Sequence, residues 1–91
     1  KIGVIGCGNM GGGMIGQLVA AGMDISCYDP DSDIQTRMRS GGASVAQTAK
    51  GLVSGQEIII LSLPKAQVVE AVMAQIATSI EAGAIVLDTS T

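Results

Sequence analysis

Histidine, tryptophan and phenylalanine are absent from the 91-residue chain, and tyrosine occurs once. Without histidine, no imidazole can act as base, proton shuttle or metal ligand within the segment. With a single aromatic ring there is no stacking platform for single-stranded nucleic acid or RNA. Charge is sparse too: charged residues make up 14% and the net charge is −3. That leaves no basic footprint for a phosphate backbone. The two cysteines, Cys7 and Cys27, match no zinc or C-x-x-C spacing. Free thiols in a reducing cytoplasm are the simplest reading. No signal peptide, transit peptide or apolar run of about 18 residues occurs. The expectation is a cytoplasmic protein with no nucleic-acid, membrane or metal partner.

What is present is apolar and glycine-rich. Hydrophobic residues make up 47%, and 13 residues are glycine, about twice the usual share. The composition is too apolar for a disordered segment. The length fits one small domain. The chain enters a strand-like run directly after Lys1 and reaches Asp88–Thr91 directly after another. The expected organisation is therefore a single domain, residues 1–91, excised from a larger chain.

The hydrophobic pattern alternates between two kinds of segment. Ile2 to Ile5 is a short apolar run, read as a buried strand. Met10, Met14 and Leu18, with Ile15 and Val19 beside them, mark one face of a helix that Gly22 ends. Ile25 to Tyr28 is a second strand, broken by Asp29-Pro30-Asp31, whose acidic residues suit the start of a helix. Ile34 and Met38 give that helix a buried side, and Gly41-Gly42 ends it. Ala43 to Val45 predicts a third strand, and Thr48 to Leu52 a helical turn or two. Ile58 to Leu63 is the strongest strand signal, apolar on both faces as a central parallel strand should be. Val69, Val72, Met73, Ile76 and Ile80 predict a helix ended by Gly83, and Ala84 to Leu87 the last strand. Strict β-α alternation predicts an α/β fold with a parallel sheet.

The motif Gly6-Cys7-Gly8-Asn9-Met10-Gly11 is G-x-G-x-x-G, placed where a strand ends and a helix opens. In that context Gly6 permits the tight turn, Gly8 lets a pyrophosphate reach the backbone, and Gly11 lets the helix pack on the strand. Asn9 and Met10, inside the loop, are counted with them as cofactor-facing. The helix N-terminus offers free N–H groups and a positive dipole end to phosphates. The alternative is a structural turn with no ligand. Gly12, Gly13 and Gly16 follow, and each interior glycine weakens a helix by ~1 kcal/mol relative to Ala. Either something bulky approaches them or they pack tightly on the sheet. Asp29 closes the second strand, where roughly 20 residues beyond the loop a carboxylate accepts from an adenosine ribose. The plainer alternative is a cap for the next helix. Asp29 and Asp31 would repel a 2′-phosphate, and Arg37 and Arg39 come two turns later. The expected cofactor is NAD rather than NADP, on a Rossmann-type doubly wound sheet. Cys7 at a helix N-terminus is either a reactive thiol or a small residue that fills space.

The residues resemble the β-hydroxyacid dehydrogenase family, which includes 3-hydroxyisobutyrate dehydrogenase, tartronate semialdehyde reductase and, more distantly, 6-phosphogluconate dehydrogenase. Ile5 to Gly11 with Met14 is similar to its G-L-G-x-M-G-x-x-M signature, with Cys7 at the usual Leu. Ser40-Gly41-Gly42-Ala43 resembles its A-A-G-A segment. Ile60 to Pro64 resembles its T-M-L-P stretch, with Ser62 at the usual Met. Asp88 to Thr91 matches its D-x-S-T. The resemblance implies that Leu63 and Pro64 lie along the cofactor near the nicotinamide, that Thr91 contacts the nicotinamide end, and that Ser90 lies at the substrate carboxylate. It implies a small hydroxy-acid substrate and a helical domain beyond Thr91 that carries the catalytic Lys and forms a homo-oligomer. No catalytic residue is expected in this segment; Lys1, Lys50 and Lys65 read as surface charges. Two other readings stay open: a pyrroline-5-carboxylate reductase-like domain, whose N-terminus shares G-x-G-N-M, and a non-catalytic nucleotide sensor.

Overall fold

A computed structural model describes residues 1–89. Among these residues five strands and four helices alternate: β1 (Ile2–Ile5), α1 (Asn9–Ala20), β2 (Ile25–Tyr28), α2 (Ser32–Ser40), β3 (Ser44–Val45), α3 (Ala49–Val53), β4 (Ile58–Leu61), α4 (Ala66–Ile76) and β5 (Ile85–Asp88). The strands form one parallel sheet in the order β3-β2-β1-β4-β5. β1 lies at the centre, with Ile2 opposite both Ile25 and Ile58. The chain winds outward from β1 to β3, then returns to the other side of β1 and winds outward again. This is the doubly wound arrangement that the alternation predicted.

Strand period explains the two-sided core. Along β4, Ile60 packs into one apolar cluster while Ile59 and Leu61 pack into the other. β1 divides likewise, Ile2 and Val4 to one face and Ile5 to the opposite face. The first face is covered by Met14, Ile15, Leu18 and Val19 of α1 and Ile34 and Met38 of α2. The second is covered by Leu52 and Val53 of α3 and Val69, Val72, Met73 and Ile76 of α4. Each fully buried Leu or Ile contributes about 1.5–3 kcal/mol, so the centre of the sheet is its most stable part. β5 is thinly covered: Ile85 is 55% and Leu87 47% exposed.

Several boundaries differ from the sequence reading, each for a local reason. β4 stops at Leu61 rather than Leu63. Ser62 N–H still donates to the Ile5 carbonyl at 2.9 Å, after which Leu63-Pro64 turns out of the sheet. α4 begins at Ala66 and ends at Ile76, short of Ile80. There the Ser79 N–H bonds back three residues to the Ile76 carbonyl, a tight last turn that Thr78 and Ser79, weak helix formers, allow. Ile80 packs against the core from outside the helix. Ala43 precedes β3 because its N–H bonds the Met38 carbonyl at the end of α2.

Candidate functional site

The carboxyl ends of β1, β2, β4 and β5 open onto one cleft of about 880 Å³. It lies where strand order reverses between β1 and β4, the position at which open α/β sheets bind ligands. Gly6, Gly8 and Gly11 line it from the first turn, Asp29 from the end of β2, Leu63 and Pro64 from the end of β4. Residues far apart in sequence meet here because a parallel sheet sends every carboxyl end to one edge.

The three glycines of the motif have different physical reasons. Gly6 has φ +92°, and a Cβ there would collide with the Ser62 carbonyl. Gly11 carries α1 so close that a Cβ would strike the Gly6 carbonyl. Both are required by packing. Gly8 has an ordinary φ of −71°, is exposed, and a Cβ on it would meet no atom within 4 Å. Nothing in the chain asks for glycine there; what its bare backbone provides is a flat approach to the start of α1. That start has no side-chain cap and no acidic residue in its first turn. By contrast Asp31 caps α2 and Thr48 caps α3. The first N–H groups of α1 thus stand ready for an anion. Asn9 and Met10 are the first two residues of α1; their side chains fall outside what the structure describes.

Asp29 lies directly against the glycine loop at the edge of the cleft. Its Oδ2 accepts from the Cys7 N–H and its Oδ1 from the Asp31 N–H, each at 2.9 Å. Gln35 Nε2 donates to its backbone carbonyl at 2.6 Å. A carboxylate offers about four acceptor positions, so two remain for ligand hydroxyls. Capping of α2 belongs to Asp31, which accepts from the Asp33 and Ile34 N–H groups, so the plainer reading of Asp29 as a helix cap does not hold. Asp29 buttresses the glycine loop instead.

The structure assembles Gly6, Gly8, Gly11, Asp29, Leu63 and Pro64 around one cleft. Ser90 and Thr91 lie outside the described residues. Sequence reading missed other lining residues: Tyr28, Ser62, Val68, Val72, Gln75 and Thr89. Val68 and Val72 stand one turn apart on α4, a spacing that signals a helix face but not which cleft the face borders. Thr89 is held by two bonds to the Leu61 carbonyl, from its N–H and its hydroxyl, each at 2.8 Å. The glycines after the motif divide. A Cβ on Gly12 would come within 3.1 Å of the Cys7 carbonyl, whereas Gly13 and Gly16 have nothing within 4 Å. For those two, tight packing on the sheet is excluded. Cys7 is buried. The Cys7 thiol is pushed well above its ordinary value by its hydrogen bond with Cys27 and by burial, so the reactive-nucleophile reading fails. Among the described residues no cluster suits a metal ion, and no helix is long and apolar enough to cross a membrane.

A doubly wound sheet with a bare glycine turn, an uncapped helix start and a carboxylate at the end of β2 defines a dinucleotide-binding α/β domain. The model for the NAD-binding domain of 6-phosphogluconate dehydrogenase matches residues 1–91, and the chain belongs to that family. An NAD-dependent L-serine dehydrogenase of Pseudomonas aeruginosa is 32% identical over the whole chain. A probable mitochondrial 3-hydroxyisobutyrate dehydrogenase of Dictyostelium discoideum is 29% identical over 99% of it. A solved 3-hydroxyisobutyrate dehydrogenase of Mycobacterium tuberculosis with L-serine superposes on 99% of the chain with a TM-score of 0.96 at 28% identity. The chain spans 32%, 29% and 31% of the lengths of these three proteins, about a third of each.

Proposed function

We propose that this chain is the NAD-binding domain of an oxidoreductase that moves hydride between nicotinamide and a small β-hydroxy acid or its carbonyl form. The observation that carries the reading is Gly8: open, exposed and unneeded by the fold, at the start of an uncapped helix and in the cleft that Asp29 also lines. In this reading Gly8, Asn9 and Met10 receive the pyrophosphate on the first N–H groups of α1. Gly6 and Gly11 hold that turn in shape. Asp29 accepts from the adenosine ribose hydroxyls, and its charge with that of Asp31 disfavours a 2′-phosphate. Leu63 and Pro64 lie along the nicotinamide side, Thr91 at its end, and Ser90 by the substrate carboxylate. The bound cofactor supplies the hydride; the chain supplies orientation, electrostatics and exclusion of water. Proton transfer belongs to a residue outside residues 1–91, in a helical substrate and dimerisation domain. We place the protein in the cytoplasm, a reducing setting that suits its free thiols.

Calorimetric titration of the full-length protein with NADH and NADPH tests the reading. Saturable binding of NADH, and weaker binding of NADPH, is expected. Preference for NADPH would overturn the role given to Asp29, and absence of both would overturn the dinucleotide reading.

A further inference from the structure

Helix α4 sends Val68, Val72 and Gln75 to the wall of the cleft. Spacings of four and three residues place them on one stripe of the helix. The stripe is about 10 Å long. The two valines are half-buried, and Gln75 is exposed. Val68 and Val72 pack on the same core cluster as Tyr28. Tyr28 closes β2 directly before Asp29 and also lines the cleft. The cleft thus has an apolar wall close to Asp29, separate from the glycine loop and from Leu63 and Pro64.

Gln75 ends that wall with the one polar side chain that α4 contributes to it. Among the described residues its amide has no hydrogen-bond partner. A long helical side chain leans over the turn N-terminal to its own Cα, so the Gln75 amide reaches back along the stripe toward Val72. The fold does not ask for an amide there: the residue that α4 buries is its neighbour Ile76.

We propose that Gln75 selects adenine as the base of the dinucleotide. Its Oε1 accepts from the 6-amino group, and its Nε2 donates to the adjacent ring nitrogen. In the dinucleotide reading, on which this role rests, Asp29 takes the adenosine ribose hydroxyls. The base joined to that ribose lies beside Asp29. It needs an apolar surface against its face and a polar group at its edge. Tyr28, Val68 and Val72 supply the surface, and Gln75 supplies the edge. Adenine presents a donor and an acceptor side by side, and a carboxamide presents an acceptor and a donor to match. A carboxylate in this place could only accept, and an ammonium could only donate.

The test is calorimetric titration of the full-length protein with NADH and with reduced nicotinamide purine dinucleotide, in which hydrogen replaces the 6-amino group. The unsubstituted protein should bind the purine analogue about threefold to tenfold more weakly than NADH, the effect of one lost hydrogen bond. Gln75→Leu keeps most of the side chain's bulk and removes the amide; Gln75→Ala removes both. Alanine is the best helix former, so the second variant keeps α4 intact. Each variant should lower NADH affinity by more than it lowers affinity for the analogue, so that the gap between the two ligands closes. A merely structural role for Gln75 would weaken both ligands alike and leave the gap. A gap that persists in both variants, or its absence from the unsubstituted protein, overturns the role of Gln75 while the dinucleotide reading stands. If the unsubstituted protein binds no NADH, that reading falls and the role of Gln75 falls with it.

Discussion

One sequence motif holds glycines of two kinds, and substitution separates them. At Gly6 any side chain meets a φ of +92° and the Ser62 carbonyl. Gly6→Ala should destabilise the protein by more than about 2 kcal/mol, measured by urea denaturation. At Gly8 the backbone is ordinary and the space open. Gly8→Val should leave the denaturation midpoint nearly unchanged while NADH binding disappears in calorimetry. Retained affinity would make the loop structural only. The G-x-G-x-x-G pattern was legible from the sequence, but this division was not, because it depends on where Ser62 lands after β4. Asp29 shows the same limit. Its position at the end of β2 pointed to ribose. Its bond to Cys7 N–H joins residues 22 apart in sequence and exists only because β1 and β2 pair in register. The double change Asp29→Ser with Pro30→Arg should therefore do two things. Preference should move toward NADPH, since arginine suits a phosphate. Stability should also fall by about 1–3 kcal/mol, since Cys7 N–H loses its acceptor in a half-buried setting. A cofactor switch without a stability change would remove the buttress role.

At the scale of elements, caps and periodicity carried most of the information. Asp31 accepts two N–H groups at the start of α2, and Asp31→Ala should cost about 1 kcal/mol with NADH affinity little changed. The unbroken apolar run of β4 and the helical spacing in α1 and α4 identified the elements. Strand order was legible only as a doubly wound class. The ends of β4 and α4 were not legible. The strand-like stretch from Ile58 to Leu63, interrupted only by Ser62, hides the exit at Leu61, which is set by pairing with β1. Helical spacing up to Ile80 hides the stop at Ile76, since Ile80 reaches the same core from a turn. Gly16 tests a related point. It sits exposed in mid-helix with nothing within 4 Å. Gly16→Ala should raise stability of the 91-residue chain by up to ~1 kcal/mol. A loss of stability would reveal a close contact at this face.

At the scale of the molecule, the described residues form a cleft whose lining is poor in groups that move protons. Asp29 is the one charged residue lining the described cleft, and its two hydrogen bonds to N–H groups hold it as an acceptor. Lys65 is exposed and follows Pro64 outside the lining. The cleft's walls are mainly Ile5, Leu63, Pro64, Val68 and Val72, which shape and dry a site without moving protons. Hydride transfer to a carbonyl needs a proton delivered to the developing alkoxide, and an open site weakens whatever electrostatics would stabilise it. The relatives are about three times as long as the chain, which leaves ample sequence for that donor. The 91-residue chain should therefore bind NADH and show no turnover. The full-length protein should oxidise a small β-hydroxy acid with NAD. Absorbance of NADH, followed for both proteins across a panel of such acids, decides it. Turnover by the purified 91-residue chain would place the proton donor within it. Lys65 and Asp88, which lie beyond or at the end of a strand whose carboxyl edge forms the cleft, would then be the residues to substitute first, together with Ser90 from outside the described residues.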